Sequence, residues 1–304
     1  MTHLAQTLCS DVQTEPLPGT AKTGSRYVLF EWPGAWSKDI LDGGTFSPEL
    51  SARLNERMSL FDATLLLIRH PTREGREIDT HHCYLVFADE GIIEVKHIDG
   101  PEALLDLDLS GPGRNDASVR TKPMLLVCTH AKRDRCCAVK GRPLVRELAQ
   151  RYPAHVGNDV VWETSHIKGH RFAATTLLMP WAFSYGRMNV EAANALIDSA
   201  MDGRYFVPGN RGRGTLSAPA QAAEIAVAKQ LVTDGVEVRI DQLRVLNAEE
   251  SETAARVQVE DLNAGTVYQV QLKQRAIEGV VSSCGDAPKT GAAWYVEAIT
   301  PTDQ

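Results

Sequence analysis

The sequence lacks the features that would direct it to a membrane or to nucleic acid. It has no apolar run of the ~20 residues that a bilayer-spanning helix needs. Its first 20 residues lack the basic start and apolar core of a signal peptide, so we expect a cytoplasmic protein. The net charge of −7 argues against a general nucleic-acid binder, which would present a basic face. The hydrophobic content of 43% is typical of a soluble globular protein.

Cysteine is also sparse, with six residues in the chain, and its distribution is uneven. Disulfides are disfavoured in the cytoplasm, so a structural disulfide explains these cysteines poorly. Cys9, Cys83 and Cys284 are scattered, and scattered cysteines are usually small buried hydrophobic residues. The other three lie in VCTHAKRDRCC, at residues 127–137, with lysine and arginine between the thiols. This segment contains no C-x-x-C motif, which disfavours a thioredoxin-type thiol oxidoreductase.

Strand and helix signals divide the chain into two similar halves and a C-terminal region. The first half predicts strands at 26–32 and 63–70, a helix at 47–58 capped by Ser47, a hairpin at 83–98 and a short helical segment at 100–109. The second half predicts strands at 122–128 and 158–166, a helix at 141–152, a hairpin at 175–188 and a helix at 189–203 capped by Asn189.

The two halves align closely. The first strand ends at Glu31 in one half and at Cys128 in the other, and the second strand ends at His70 and at His166. The order strand, helix, strand, hairpin, helix is that of a thioredoxin-like domain. We therefore predict an α/β protein with two thioredoxin-like halves, formed by duplication, at 1–110 and 111–205.

The C-terminal region, 206–304, is predicted to be a small α+β unit. GNRGRG at 209–214 is interpreted as a linker, followed by a helix at 218–235 and an antiparallel sheet with a hairpin turn at 263–265. Only SSCGD, at 282–286, suggests chemistry in this region.

Four residues of the second half are candidates for one metal site. Cys128 ends the first strand, Cys136 or Cys137 precedes the helix, and His166 and His170 flank the loop HIKGH. Both loops emerge at one edge of the sheet in this fold, so two thiolates and two imidazoles could bind zinc or an iron–sulfur cluster. The wide spacing of the thiols favours an object larger than one ion.

The charge of these ligands bears on redox chemistry. Neutral imidazoles raise the potential of a [2Fe–2S] centre relative to four thiolates. Basic residues near the ligands would further stabilise the reduced form; these are Lys132, Arg133, Arg135, Lys168 and Arg171.

The first half lacks the full ligand set. His70 lies opposite His166, but Glu74 falls where His170 would be, and FEWPGAW has no thiol. HHC at 81–83 is a rival cluster, although a histidine pair entering a hairpin is more often structural. His130, Arg133 and Asp134 either hydrogen-bond the site or form a solvated turn.

CTHAKRDRCC, together with GRPL, WETSHIKGHRFA, YGR, QAAEIAV and SSCGD, closely resembles the sucrase/ferredoxin-like family of thioredoxin-like ferredoxins. The resemblance implies a [2Fe–2S] cluster in the second half, with Cys128 and Cys137 on one iron and the more exposed His166 and His170 on the other. It selects Cys137 over Cys136, which leaves Cys136 as a bystander. Many members have glycine at Ala131 and cysteine at Thr164, and the second difference favours ligation by two histidines.

The function implied is electron transfer coupled to proton uptake by a histidine, with an unidentified donor or acceptor protein. A thiol oxidoreductase and a structural zinc module with the same ligands are the alternatives. No carboxylate pair is placed for the glycoside hydrolysis that "sucrase" suggests.

Overall fold

The strands of the protein form two separate sheets in a computed structural model that describes residues 7–71, 75–153 and 159–302. The larger sheet contains β1 (Arg26–Glu31), β2 (Ala63–Arg69), β3 (His81–Phe87), β4 (Ile92–Ile98), β5 (Ser118–Arg120), β6 (Met124–Cys128), β7 (Val161–Thr164), β8 (Thr176–Met179), β9 (Phe183–Tyr185) and β10 (Asn210–Arg213). The smaller, antiparallel sheet contains β11 (Leu243–Glu250), β12 (Ala254–Asp261), β13 (Thr266–Val280) and β14 (Lys289–Thr302). The α-helices are α1 (Pro48–Leu60), α2 (Arg142–Arg151), α3 (Val190–Met201) and α4 (Ala218–Thr233).

The larger sheet repeats one strand order in its two parts. The order β2-β1-β3-β4 in the first half matches β7-β6-β8-β9 in the second. In each half the first two strands are parallel neighbours, and a helix connects them along the chain. The hairpin that follows adds two antiparallel strands. The halves meet where β2 runs antiparallel to β7, with Arg69 opposite Glu163.

The predicted helix caps are confirmed. The Ser47 hydroxyl accepts the backbone N–H of Leu50 at 3.2 Å, and the Asn189 side chain accepts that of Ala192 at 2.8 Å. Each cap satisfies an N–H that the first helical turn leaves without a partner. The apolar face of α1 then packs Leu54 into the core of the first half.

Helix α4 and the smaller sheet share one hydrophobic core with the second half. Leu148 of α2 and Leu196 of α3 belong to the same buried cluster as Ala223 of α4 and Val257 of β12. The predicted hairpin turn at 263–265 joins β12 to β13. None of the α-helices in the described ranges is long and apolar enough to span a membrane.

The interpretation of GNRGRG as a linker is wrong. Asn210–Arg213 forms β10, an edge strand that pairs with β9. Arg211 is only 1% exposed, because its guanidinium donates to the carbonyl oxygens of Thr20 and Lys168 and lies over the Phe172 ring. Glycine and arginine are typical of loops, which is why the segment reads as a linker. Here the contacts of Arg211 with distant segments keep the strand in place.

Candidate metal centre

The four predicted ligands lie at one edge of the larger sheet. β6 and β7 are parallel neighbours, so their carboxyl ends point the same way. Cys128 is the last residue of β6, and His166 follows β7 by two residues. Cys137 begins a single π-helical turn, Cys137–Gly141, that leads into α2. His170 begins a 3-10 turn, His170–Phe172.

These side chains approach one another closely. Cys128, Cys137 and His166 each offer a ligand atom within 4.8 Å of the other two. The ring centroids of His166 and His170 are 5.2 Å apart. Both thiols are 1% exposed, whereas the side chain of His170 is 16% exposed, so the histidines form the outer side of the group as expected.

Hydrogen bonding lowers the pKa of one sulfur of the pair. A hydrogen bond from Cys137 holds the pKa of the Cys128 thiol well below its ordinary value, against the opposing effect of burial. His166 and the backbone N–H of His130 lower this pKa further. The same contact with Cys128, together with burial, raises the pKa of Cys137. Metal binding to this pair would release the thiol protons that remain on it.

The imidazoles also have the form that metals bind. Burial lowers the pKa of His170, which favours the neutral ring. The Nδ1 atoms of His166 and His170 are buried and have no hydrogen-bond partner in the part of the chain that the structure describes. Two sulfurs and one imidazole nitrogen converge, with a second imidazole beside them, and donors of these types bind zinc and [2Fe–2S] clusters.

Gly141 allows the thiol loop to close over β6. A Cβ atom at Gly141 would lie 2.1 Å from the carbonyl oxygen of Cys128, closer than real Cβ contacts occur. The absence of a side chain lets the turn that carries Cys137 approach the end of β6.

Two residues of the connecting loop are buried, so the interpretation of the loop as a solvated turn fails for them. His130 contacts the carbonyl oxygen of Ser37 through Nε2 at 2.7 Å, and its ring meets the edge of Trp36. The carboxylate of Asp134 accepts the backbone N–H of Cys136 at 2.8 Å and that of Cys284 at 3.0 Å.

A buried ion pair between the two halves lies beneath the site. Arg69 and Glu163 pair at 2.9 Å, and the Arg69 guanidinium lies 4.3 Å from the centre of the Trp36 ring. The hydroxyl of Thr129, the residue after Cys128, donates to the same Glu163 carboxylate at 2.8 Å. The first half therefore positions the backbone that carries Cys128.

A basic cavity opens beside His166. It has a volume of about 290 Å³, and its lining includes Lys22, Lys38, Arg133 and Lys168. Arg171, also predicted to add positive charge, is instead paired with Glu15 at 2.5 Å.

The rival residues of the first half have other partners. His81 contacts the carbonyl oxygen of Glu31 at 2.8 Å, and His82 contacts the Glu31 carboxylate. His70 is buried against the edge of Trp162. Among the described residues, none of these histidines belongs to a group of ligands that could hold a metal. Glu74 lies outside the described residues.

Sequence reasoning missed a second group of potential ligands, formed by Cys9, Asp134, Cys136 and Cys284. Cys136 lies in this group and not with Cys128 and Cys137, and its sulfur faces those of Cys9 and Cys284. Cys9, Cys136 and Cys284 pack together in one buried cluster with Ala173, as packing residues do, although they are scattered along the sequence. The sequence features that could have pointed to this second group were the CC doublet and the SSCGD segment.

Comparison with known proteins gives one match. The model of the family described as sucrase/ferredoxin-like matches residues 17–213, which is well over half of the chain and a range that contains the four predicted ligands. The searches of curated proteins and of solved structures each gave no match.

Proposed function

Because the chain belongs to the sucrase/ferredoxin-like family, we propose that it is a [2Fe–2S] electron-transfer protein. Cys128 and Cys137 would hold one iron, and His166 and His170 the other. The observation that carries this proposal is the convergence of the two buried thiols and His166 at one sheet edge, with the ring of His170 beside that of His166. When bound, the cluster would supply one-electron transfer, while the protein supplies the ligands and their surroundings.

The burial of the thiols disfavours the thiol-oxidoreductase alternative. Cys128 and Cys137 are each 1% exposed, and a substrate disulfide must reach an attacking sulfur. A structural zinc ion in the same four ligands is the stronger alternative, since zinc accepts two sulfurs and two nitrogens. The ferredoxin-like family description favours the cluster.

We also propose that the two halves are duplicated thioredoxin-like units, at 1–110 and 111–205, and that 206–304 is a C-terminal region that packs on the second half. The shared strand order β2-β1-β3-β4 and β7-β6-β8-β9 supports the duplication. Only the second half has kept the ligands. The first half holds Trp36 and Ser37 against His130, which gives it a supporting role.

The basic cavity is the proposed route for electrons. His166 lines the cavity with Arg133 and Lys168, so a cytoplasmic redox partner with an acidic surface would be attracted to the imidazole side. The opposite side of the group is closed by the buried thiols. Uptake of a proton by an outer imidazole on reduction would couple proton and electron transfer.

The test is metal analysis of the full chain purified without oxygen. The proposal predicts about two iron and two sulfide per chain, with visible absorption between about 400 and 600 nm. Cys128→Ser and Cys137→Ser should abolish that absorption. Cys83→Ala, which alters a buried thiol of β3 outside both ligand groups, should retain it. Zinc in place of iron, lost in the same two variants, would establish the zinc alternative and refute the electron carrier.

A further inference from the structure

Three thiols from distant parts of the chain face a common point beside the proposed cluster. The sulfur of Cys136 lies 3.3 Å from that of Cys9 and 3.1 Å from that of Cys284. The third side of this triangle, from Cys284 to Cys9, is 3.7 Å. Cys9 and Cys136 are 1% or less exposed, and Cys284 is partly buried.

The size of the triangle indicates a single ion. Three thiolates on one tetrahedral zinc ion, at about 2.3 Å from the metal, lie about 3.8 Å from one another. In a cluster with several irons, three thiolates do not all bind one iron, so at least one of them lies further from the other two. The observed separations of 3.1–3.7 Å are therefore close to those of three ligands on one ion.

A carboxylate completes a four-ligand set. An oxygen of Asp134 lies 4.0 Å from the sulfur of Cys9, and all four residues offer ligand atoms within 4.8 Å of one another. The backbone N–H groups of Cys136 and Cys284 hold this carboxylate in position. Hydrogen bonds of this kind commonly orient metal-ligating carboxylates.

The ligand types select the metal. Thiolates favour zinc, copper(I) or iron–sulfur clusters, and a carboxylate oxygen is a poor ligand for copper(I). Four protein ligands leave no open position, as in structural rather than catalytic zinc sites. We propose that Cys9, Asp134, Cys136 and Cys284 bind one structural zinc ion, separate from the cluster.

This zinc ion would tie three segments together next to the outer histidines. Cys9 belongs to the N-terminal segment, Cys136 to the loop before α2, and Cys284 to the connection between β13 and β14. Beside Cys284, the hydroxyl of Ser283 contacts Nε2 of His170 at 2.9 Å. Asp134 itself lies 3.7 Å from the same nitrogen. The zinc ion would therefore hold the C-terminal loop against His170.

Metal content tests the proposal on full-length protein from medium containing both zinc and iron. The intact chain should carry about one zinc ion. Cys284→Ala and Cys9→Ala should lose it, while Cys284→His, which restores a zinc ligand, should keep it. The Cys128→Ser/Cys137→Ser double variant should lose iron and retain zinc, and Cys83→Ala should retain both. A chelator should lower the Tm of the intact chain and leave that of Cys284→Ala unchanged.

The outcomes separate this proposal from the cluster. A zinc content that Cys284→Ala does not lower, loss of all zinc with the Cys128→Ser/Cys137→Ser change, or a zinc-free chain with a disulfide among Cys9, Cys136 and Cys284 would each overturn it. A chain with zinc in the predicted place but no iron would support this site while refuting the proposed electron carrier. Far-ultraviolet circular dichroism shows whether each variant is folded.

Discussion

The backbone of Gly141 lies against the carbonyl oxygen of Cys128, so that a Cβ atom would come within 2.1 Å of that oxygen. Gly141→Ala therefore forces the π-helical turn that carries Cys137 away from β6. We expect the variant to lose at least half of its bound metal and about 1–3 kcal/mol of stability, as overpacked positions do. Metal analysis and denaturant unfolding measure the two effects.

Gly111→Ala is the matched control. A Cβ atom at Gly111 meets nothing within 4 Å, and its φ lies outside the left-handed region. The Gly111→Ala variant should keep the metal content and stability of the parent chain. Equal metal content in the Gly141→Ala and Gly111→Ala variants would contradict the role of Gly141.

Asp159 should make stability depend on pH. Burial alone would raise its pKa, but hydrogen bonds from Tyr84 and Arg120 outweigh burial and hold that pKa below its ordinary value. A lowered carboxyl pKa in the folded state stabilises the protein above the unfolded pKa of ~4, and this contribution is lost as pH falls through the folded value. Asp159→Asn should cost about 1–3 kcal/mol at neutral pH and less below about pH 4.

Urea unfolding of the parent chain and variant across this pH range provides the measurement. Asp198→Asn is the control, because Asp198 pairs with Arg151 where both side chains are 49% exposed. Exposed pairs contribute little, so this change should cost about 0–1 kcal/mol at any pH. If the stability cost of Asp159→Asn does not vary with pH, the lowered pKa of Asp159 is refuted.

Local and topological features of the fold could be predicted from the sequence. The caps by Ser47 and Asn189 each join residues three positions apart, so a short segment contains all the relevant chemistry. Cys128 and His166 could be placed together because neighbouring parallel strands end at the same edge of a sheet.

Features that depend on distant segments could not be predicted. Cys9 and Cys284 are 275 positions apart, and no periodicity or spacing links them. β10 was missed because the burial of Arg211 depends on contacts with Thr20 and Lys168. That burial lowers the pKa of the Arg211 guanidinium to about 9. Neither contact can be inferred from the segment GNRGRG alone.

The proposed cluster should have a pH-dependent midpoint potential. An imidazole that binds oxidised iron through one nitrogen would lose the proton of its second nitrogen more readily, because the metal lowers that pKa, and the electron added on reduction would favour return of that proton. The potential should therefore fall as pH rises, by up to about 59 mV per pH unit for a one-electron couple. His170→Cys should lower the potential and flatten the dependence, as redox titration followed by visible absorption can measure. A potential constant from about pH 6 to 9 would contradict proton coupling.

The basic cavity should control the rate at which charged reagents reduce the protein. Lys168→Glu and Arg133→Glu reverse charges that line the cavity beside His166. Reduction by anionic dithionite should slow about tenfold at low salt, with a weaker salt dependence, because attraction of the reagent is lost. Reduction by a cationic viologen radical should become faster. Stopped-flow measurements test this, with Lys229→Glu as control, since Lys229 is exposed on α4 outside the cavity. Equal effects of all three changes would show that the net charge of the protein determines the rate of reduction. The cavity would then not be the route of electron entry.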